Sequence, residues 1–193
     1  MGIRCIVLDM DRTTLDADGK LSRGNRAAIE GALGRGIEVV IASGRSFSSL
    51  PADVTSIPGI RYAITSNGAA VYHIATNECL IRHLIGGEAV DKILHLIAGP
   101  YNSGAVVCEG FIEGVPHCPG HFFEHPEAYG LSERHINYIR STRRPEDDIL
   151  AFLQENRSRL ESFSIMTWDM VLKQALWSKL ETEIGGIYIT SST

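Results

Sequence analysis

Asp9-Met10-Asp11-Arg12-Thr13-Thr14-Leu15-Asp16 is the stretch that decides how this chain is read. It follows Ile3-Arg4-Cys5-Ile6-Val7-Leu8, an almost wholly apolar run of the kind found in a strand covered on both faces, and the run stops at Asp9. Side chains two apart on a strand share a face, so Asp9 and Asp11 are expected to project together from the carboxyl edge. Open α/β sheets keep their ligands at that edge. Two carboxylates this close repel unless a cation lies between them. Taken alone, Asp-x-Asp reads equally well as a turn.

Two further segments repeat the pattern of an apolar strand ending in small polar residues. Gly36-Ile-Glu-Val-Val-Ile-Ala-Ser-Gly-Arg45 ends in a hydroxyl donor (Ser43), a residue without a Cβ (Gly44) and a guanidinium (Arg45), which suits an anion. Tyr62-Ala63-Ile64-Thr65-Ser66-Asn67-Gly68-Ala69 is the second. Each alone is an ordinary strand-to-turn junction, and together they are hard to assign to chance.

The octet resembles the DxDxT signature of the haloacid dehalogenase (HAD) superfamily phosphatases. Ser43-Gly44-Arg45 is similar to that family's second motif, and Ser66-Asn67-Gly68-Ala69 to a segment of its Cof-type branch. The segment 163–192 resembles the closing strand, helix and strand of the Cof-type cap, while the match over about 99–141 is loose. The fold so implied is α/β: a Rossmann-like parallel core over 1–85, incomplete on its C-terminal side, followed by an inserted α+β cap over 86–193.

By the same resemblance the function is Mg²⁺-dependent hydrolysis of phosphate monoesters of a small metabolite, a sugar phosphate among the options. Asp9 would be the nucleophile that becomes an aspartyl-phosphate, and Asp11 the general acid and base. Both would serve Mg²⁺, Asp11 through its backbone carbonyl. Ser43 and Gly44 would hold the phosphoryl group, Thr13 would support the loop, and Asn67 and Arg45 would touch phosphate or the substrate edge. Two residues depart from the pattern: Arg12 stands where the nearest members carry Gly, and Thr14 where Leu is usual.

A graver departure is that the family's third motif, a lysine, and its fourth, an acidic GDxxxD-like segment, are not found. Of four lysines, Lys20 falls in a turn, Lys92 in the first cap helix, and Lys173 and Lys179 in the last. The alternatives are therefore a phosphate-binding or regulatory protein with weakened turnover, and an interaction protein that forms a homodimer through an unfinished sheet.

Composition agrees with an ordinary globular chain. At 193 residues and 44% hydrophobic it can bury a core of one large or two small domains. A net charge of −5 argues against nucleic acid or an anionic membrane as the main partner. No apolar run reaches the roughly 20 residues a spanning helix needs, and the N-terminus has no signal-peptide pattern, so the cytoplasm is the default location. Cys5, Cys79, Cys108 and Cys118 form no CxxC pair and read as buried or semi-buried thiols. His117, His121 and His125 would line one face of an unbroken helix, but Pro119 and Gly120 interrupt it, so a loop is the better reading than a zinc site.

The elements expected between the motifs are a helix from Ser22 ending at Gly34–Gly36, a short helix over 47–50, and a hairpin around Thr76-Asn77-Glu78. A helix with Val90, Ile93, Leu94 and Ile97 on one stripe follows a Gly86–Gly87 hinge and ends at Gly99–Pro100. Residues 104–114 suggest a second hairpin turning at Glu109–Gly110, whose tip is the candidate specificity element. A helix from Pro145 would carry Glu146, Asp147 and Asp148 in its first turn, and the last helix, over 170–183, would release a strand at 187–190.

Overall fold

A computed structural model describes residues 2–191. The chain divides into two compact units between His83 and Leu84.

The first unit is a five-stranded sheet in the order β1-β2-β3-β4-β5. Strands β1 (Cys5–Asp9), β2 (Glu38–Ala42) and β3 (Tyr62–Thr65) run parallel. Strands β4 (Ala70–His73) and β5 (Glu78–Arg82) add an antiparallel hairpin. Helix α1 (Arg23–Leu33) makes the first crossover; Ser22 caps it by accepting the Asn25 N–H at 3.1 Å. A 3₁₀ turn (Phe47–Ser49) and the short α2 (Ala52–Thr55), which begins just after Pro51, make the second. Met10, Leu15, Ile29, Val39, Ile41 and Val54 form the core beneath the sheet.

That core covers one face of β1 only. Leu8 packs against it, whereas Cys5 and Val7 turn the other way, and Val7 is 55% exposed. The expectation of a strand covered on both faces is corrected accordingly; among the described residues β1 pairs with β2 alone. Cys5 is exposed with it, unlike the buried Cys108 and Cys118.

The second unit holds a four-stranded sheet in the order β8-β7-β6-β9. Its helix α3 (Gly87–Asn102) buries Val90, Ile93, Leu94 and Ile97, the stripe read from the sequence. It continues past Pro100 instead of ending there, because a proline in the last turn forfeits a single helical hydrogen bond.

Strands β6 (Val107–Ile112) and β7 (Val115–Pro119) form the expected hairpin, but its turn is Glu113–Gly114, with φ of 52° and 75°. Positive φ at both residues of a two-residue loop matches the right-handed strand twist. Glu109 and Gly110 lie in the middle of β6, so they are no hairpin tip. A Cβ on Gly110 would come within 2.1 Å of Leu153 and 2.7 Å of Leu160. The glycine lets a helix press on the strand, and composition alone does not distinguish that use from a turn.

Helix α4 (Gly120–Glu124) and a 3₁₀ turn (Pro126–Tyr129) follow β7, then α5 (Glu133–Thr142), capped by Ser132, which the sequence reading did not anticipate. Arg144–Glu146 is strand β8, parallel to β7, where a helix from Pro145 was expected. Glu146 accepts a hydrogen bond from His117 at 2.6 Å, and the helix, α6 (Ile149–Glu155), starts only after Asp148 caps the Ala151 N–H at 3.0 Å. Strand β9 (Leu160–Met166) and helix α7 (Met170–Glu183) complete the unit. Residues 187–190 form no strand, since they have no ladder partner among the described residues. No helix among those residues is long and apolar enough to cross a membrane.

Candidate active site

In-register pairing brings the three motif strands to a common end. Asp9 is level with Ala42, and Ala42 with Ile64, so the residues after each strand emerge side by side. Asp9, Asp11, Ser43, Gly44, Arg45 and Asn67 thus gather at the carboxyl edge of the parallel strands, as that edge requires.

The first loop is a single wide turn. The Leu15 N–H donates to the Met10 carbonyl at 2.8 Å, five residues back, while Asp11 is extended (φ −73°, ψ 125°) and Arg12 left-handed (φ 59°). A glycine would take the Arg12 conformation without cost, which explains the physical preference behind the departure noted above. Two threonines hold the loop: Thr13 Oγ1 donates to Asp9 Oδ2 at 2.8 Å and Thr14 Oγ1 to the Asp9 carbonyl at 2.6 Å. Asn25 of α1 ties the Thr14 carbonyl at 2.9 Å. The Asp9 carboxylate is therefore oriented through one oxygen.

Asp11 meets Arg45. The guanidinium reaches both carboxylate oxygens, Nε to Oδ2 at 2.9 Å and Nη2 to Oδ1 at 2.6 Å. Its third nitrogen donates to the Ser49 carbonyl at 3.3 Å. Arg45 was read as a phosphate contact, and the structure places its fork on the carboxylate two residues beyond Asp9.

Ser43 is buried, and its Oγ accepts the Arg45 N–H at 3.1 Å, closing a tight turn. A Cβ on Gly44 would lie 2.7 Å from Asn67 Oδ1, so only glycine lets the second and third loops touch. The third loop is itself unusual: Ser66, Asn67 and Gly68 all have positive φ. Ser66 is buried, and its Oγ is a buried polar atom without a hydrogen-bond partner. Nothing in the sequence marks Ser66 for this, because whether a hydroxyl is satisfied is decided only in three dimensions.

Two carboxylates plus a carbonyl suit Mg²⁺, which takes one or two carboxylates and completes its shell with water and phosphate. Among the described residues no cluster of three or more His, Cys, Asp or Glu forms a fuller metal site. The three histidines examined for zinc are dispersed: His117 sits on β7 with Glu146, His121 in α4, and His125 beyond it beside Glu127.

The sequence profile of the haloacid dehalogenase-like hydrolases matches residues 6–183. The chain belongs to that family. The match takes in all three motif loops and runs through α7, whose lysines it includes. Solved HAD structures share the fold. A haloacid dehalogenase-like hydrolase from B. subtilis superposes with a TM-score of 0.69 at 19% identity, covering 94% of this chain and 67% of its own. A HAD subclass IIB sugar phosphatase gives 0.68 at 16% identity, covering 96% and 66%. The phosphatase BT1666 from Bacteroides thetaiotaomicron gives 0.66 at 18%, covering 92% and 60%. The chain thus spans about two thirds of the length of these HAD structures. A search of curated proteins gives no significant match.

Proposed function

We infer that the protein is a Mg²⁺-dependent hydrolase of phosphate monoesters, working through an aspartyl-phosphate on Asp9, with a small phosphorylated sugar as its substrate class. The observation that carries this reading is the loop 9–14, which holds one Asp9 oxygen on Thr13 and leaves the other to attack. The sugar assignment draws on the likeness in fold to the sugar phosphatase.

Asp9 Oδ1 forms the bond to phosphorus as the ester P–O bond breaks, and Asp11 gives its proton to the departing oxygen. Asp11 then takes a proton from the water that attacks phosphorus, and the Asp9–phosphate bond breaks to release inorganic phosphate. Without substrate, the Arg45 fork spans both Asp11 oxygens. A phosphoester dianion competes for the same guanidinium, and drawing Arg45 away opens the Asp11 carboxyl to the leaving oxygen. Asp9 and the Asp11 carbonyl would hold Mg²⁺. When bound, the ion neutralises phosphate charge that two carboxylates would otherwise repel.

The aspartyl-phosphate also calls for a side-chain cation. None of the chain's four lysines is assigned that role.

The test is release of phosphate from p-nitrophenyl phosphate with and without Mg²⁺. Asp9→Asn should lower turnover by about 10³-fold or more, with the fold unchanged by circular dichroism. Turnover that survives Asp9→Asn would refute the nucleophile. Saturable phosphate binding with no turnover in the unaltered chain would favour the phosphate-binding alternative.

A further inference from the structure

The loop that carries the proposed chemistry also holds a guanidinium that no step above uses. Arg12 follows Asp11 directly in the turn after β1, and it is exposed. Three carboxylates share the octet 9–16 with it, and each is engaged elsewhere. Asp9 Oδ2 accepts from Thr13 at 2.8 Å, and Asp11 is spanned by Arg45. Asp16 Oδ1 accepts the Asp18 and Lys20 N–H groups, both at 2.9 Å. Arg12 itself makes no hydrogen bond or ion pair among the described residues.

The side chain does nothing for the shape of the turn. The Leu15 N–H to Met10 carbonyl bond and the two threonine hydroxyls hold the loop without it. Its backbone even works against it: φ of 59° is a left-handed conformation that glycine enters freely and arginine does not. Strain of this kind is found where a binding loop is fixed by its surroundings. Arg45, by contrast, is tethered to Asp11 and to the Ser49 carbonyl. The site thus has one committed guanidinium and one whose donors are unspent.

In the reaction above, Asp11 gives its proton to the departing oxygen, so the leaving group lies on the Asp11 side of phosphorus. Arg12 is the next residue, with a long flexible stem that carries its fork beyond the transferred phosphate. A permanently charged, planar fork matches a carboxylate or a phosphate, and matches the hydroxyls of a neutral sugar less well. We propose that Arg12 sets the substrate class: a phosphorylated sugar whose leaving portion carries a second anionic group, a carboxylate or a second phosphate. This rests on the reading that the loop 9–14 receives a phosphate ester, and it narrows that reading to acidic esters.

The test is calorimetric binding to the full chain carrying Asp9→Asn, with Mg²⁺ present, so that no ester is consumed. Two matched pairs serve as probes: 6-phosphogluconate against sorbitol 6-phosphate for a carboxylate, and fructose 1,6-bisphosphate against fructose 6-phosphate for a second phosphate. The acidic member of at least one pair should bind about tenfold more tightly than its neutral partner, and the pair that shows it names the group. Adding Arg12→Gly, which takes the left-handed turn without strain, should abolish that preference, and Arg12→Lys should keep part of it. Equal affinities within both pairs, or a preference that survives Arg12→Gly, overturns the proposal. So does an equal loss for acidic and neutral members, since Arg12 would then hold the transferred phosphate. Phosphate release by the unaltered chain from the same esters keeps the two readings apart. The preference without release refutes the hydrolase and leaves Arg12 its role, whereas release with equal affinities refutes the role of Arg12 alone.

Discussion

Two of the molecule's arginine–carboxylate forks have similar geometry in opposite surroundings. Arg45 meets Asp11 at 2.6 and 2.9 Å, with the Asp11 side chain 49% exposed. Arg143 meets Glu109 at 2.9 and 3.3 Å, with the Glu109 side chain 3% exposed. Water can take over from Arg45 on Asp11, and a phosphate can compete with Asp11 for Arg45. Nothing can replace Arg143 on Glu109, which lies inside β6 between two buried thiols. Burial alone would lower the Arg143 value, but Glu109 outweighs it and holds the guanidinium more firmly protonated than usual. The same burial, with Glu109 adjacent, pushes Cys108 and Cys118 up to about 12, so these thiols stay neutral and inert. The contrast shows that fork geometry says little about surroundings, and solvent access says much: one pair is open to water, the other closes the end of α5 onto the sheet.

The buried pair should break most expensively. Arg143→Met leaves Glu109 as a buried charge without its partner, which costs about 3–5 kcal/mol. Urea denaturation should show that loss, with a midpoint well below the parent's. Replacing both members, Glu109→Leu with Arg143→Met, should recover most of it, because two desolvation penalties vanish together. A double variant as unstable as the single one would show that the pair matters through packing instead.

Arg45→Met should do the reverse. An exposed pair contributes at most about 1 kcal/mol, so the denaturation midpoint should barely move. Affinity for inorganic phosphate or vanadate should fall by about ten- to a hundredfold, as expected for the loss of a charge-assisted, bidentate donor. If Arg45 stabilises the fold and leaves phosphate binding untouched, it is a structural contact like Arg143, and the exchange described for Asp11 does not occur.

The same contrast governs what could be read from the residues alone. The three motif loops were legible because parallel strands deliver their carboxyl ends to one edge, and each loop opens with residues whose types carry the chemistry. The register that aligns Asp9, Ala42 and Ile64 follows from that topology. What failed depended on contacts distant in sequence. Gly110 looked like a turn and is a close-approach residue beneath Leu153. Glu146 and Asp148 looked like one helix end and are divided between a strand and a cap. Arg45 was expected to touch phosphate or the substrate edge, and that its fork also spans Asp11, 34 positions away, has no signature in local sequence. Charged residues reveal that they need partners, and folding decides which.

The smallest effect concerns another paired carboxylate, on the surface of the second unit. Asp91 accepts from Gln154 at 2.7 Å and from Arg157 at 2.6 Å, and these bonds, Gln154 first, hold its carboxyl below the ordinary aspartate range. A carboxylate whose value is lower folded than unfolded stabilises the fold above the unfolded value and loses that contribution as acid titrates it. The contribution is therefore intact at neutral pH and fades below about pH 4. Asp91→Asn keeps the shape and one acceptor but cannot titrate. Its melting temperature should lie slightly below the parent's at neutral pH and converge with it as the pH falls toward about 3. A gap between the two that stays constant across that window would mean that Asp91 acts through hydrogen-bond geometry alone. Exposure would then limit the charge of this pair, as it does at Arg45, to what water permits.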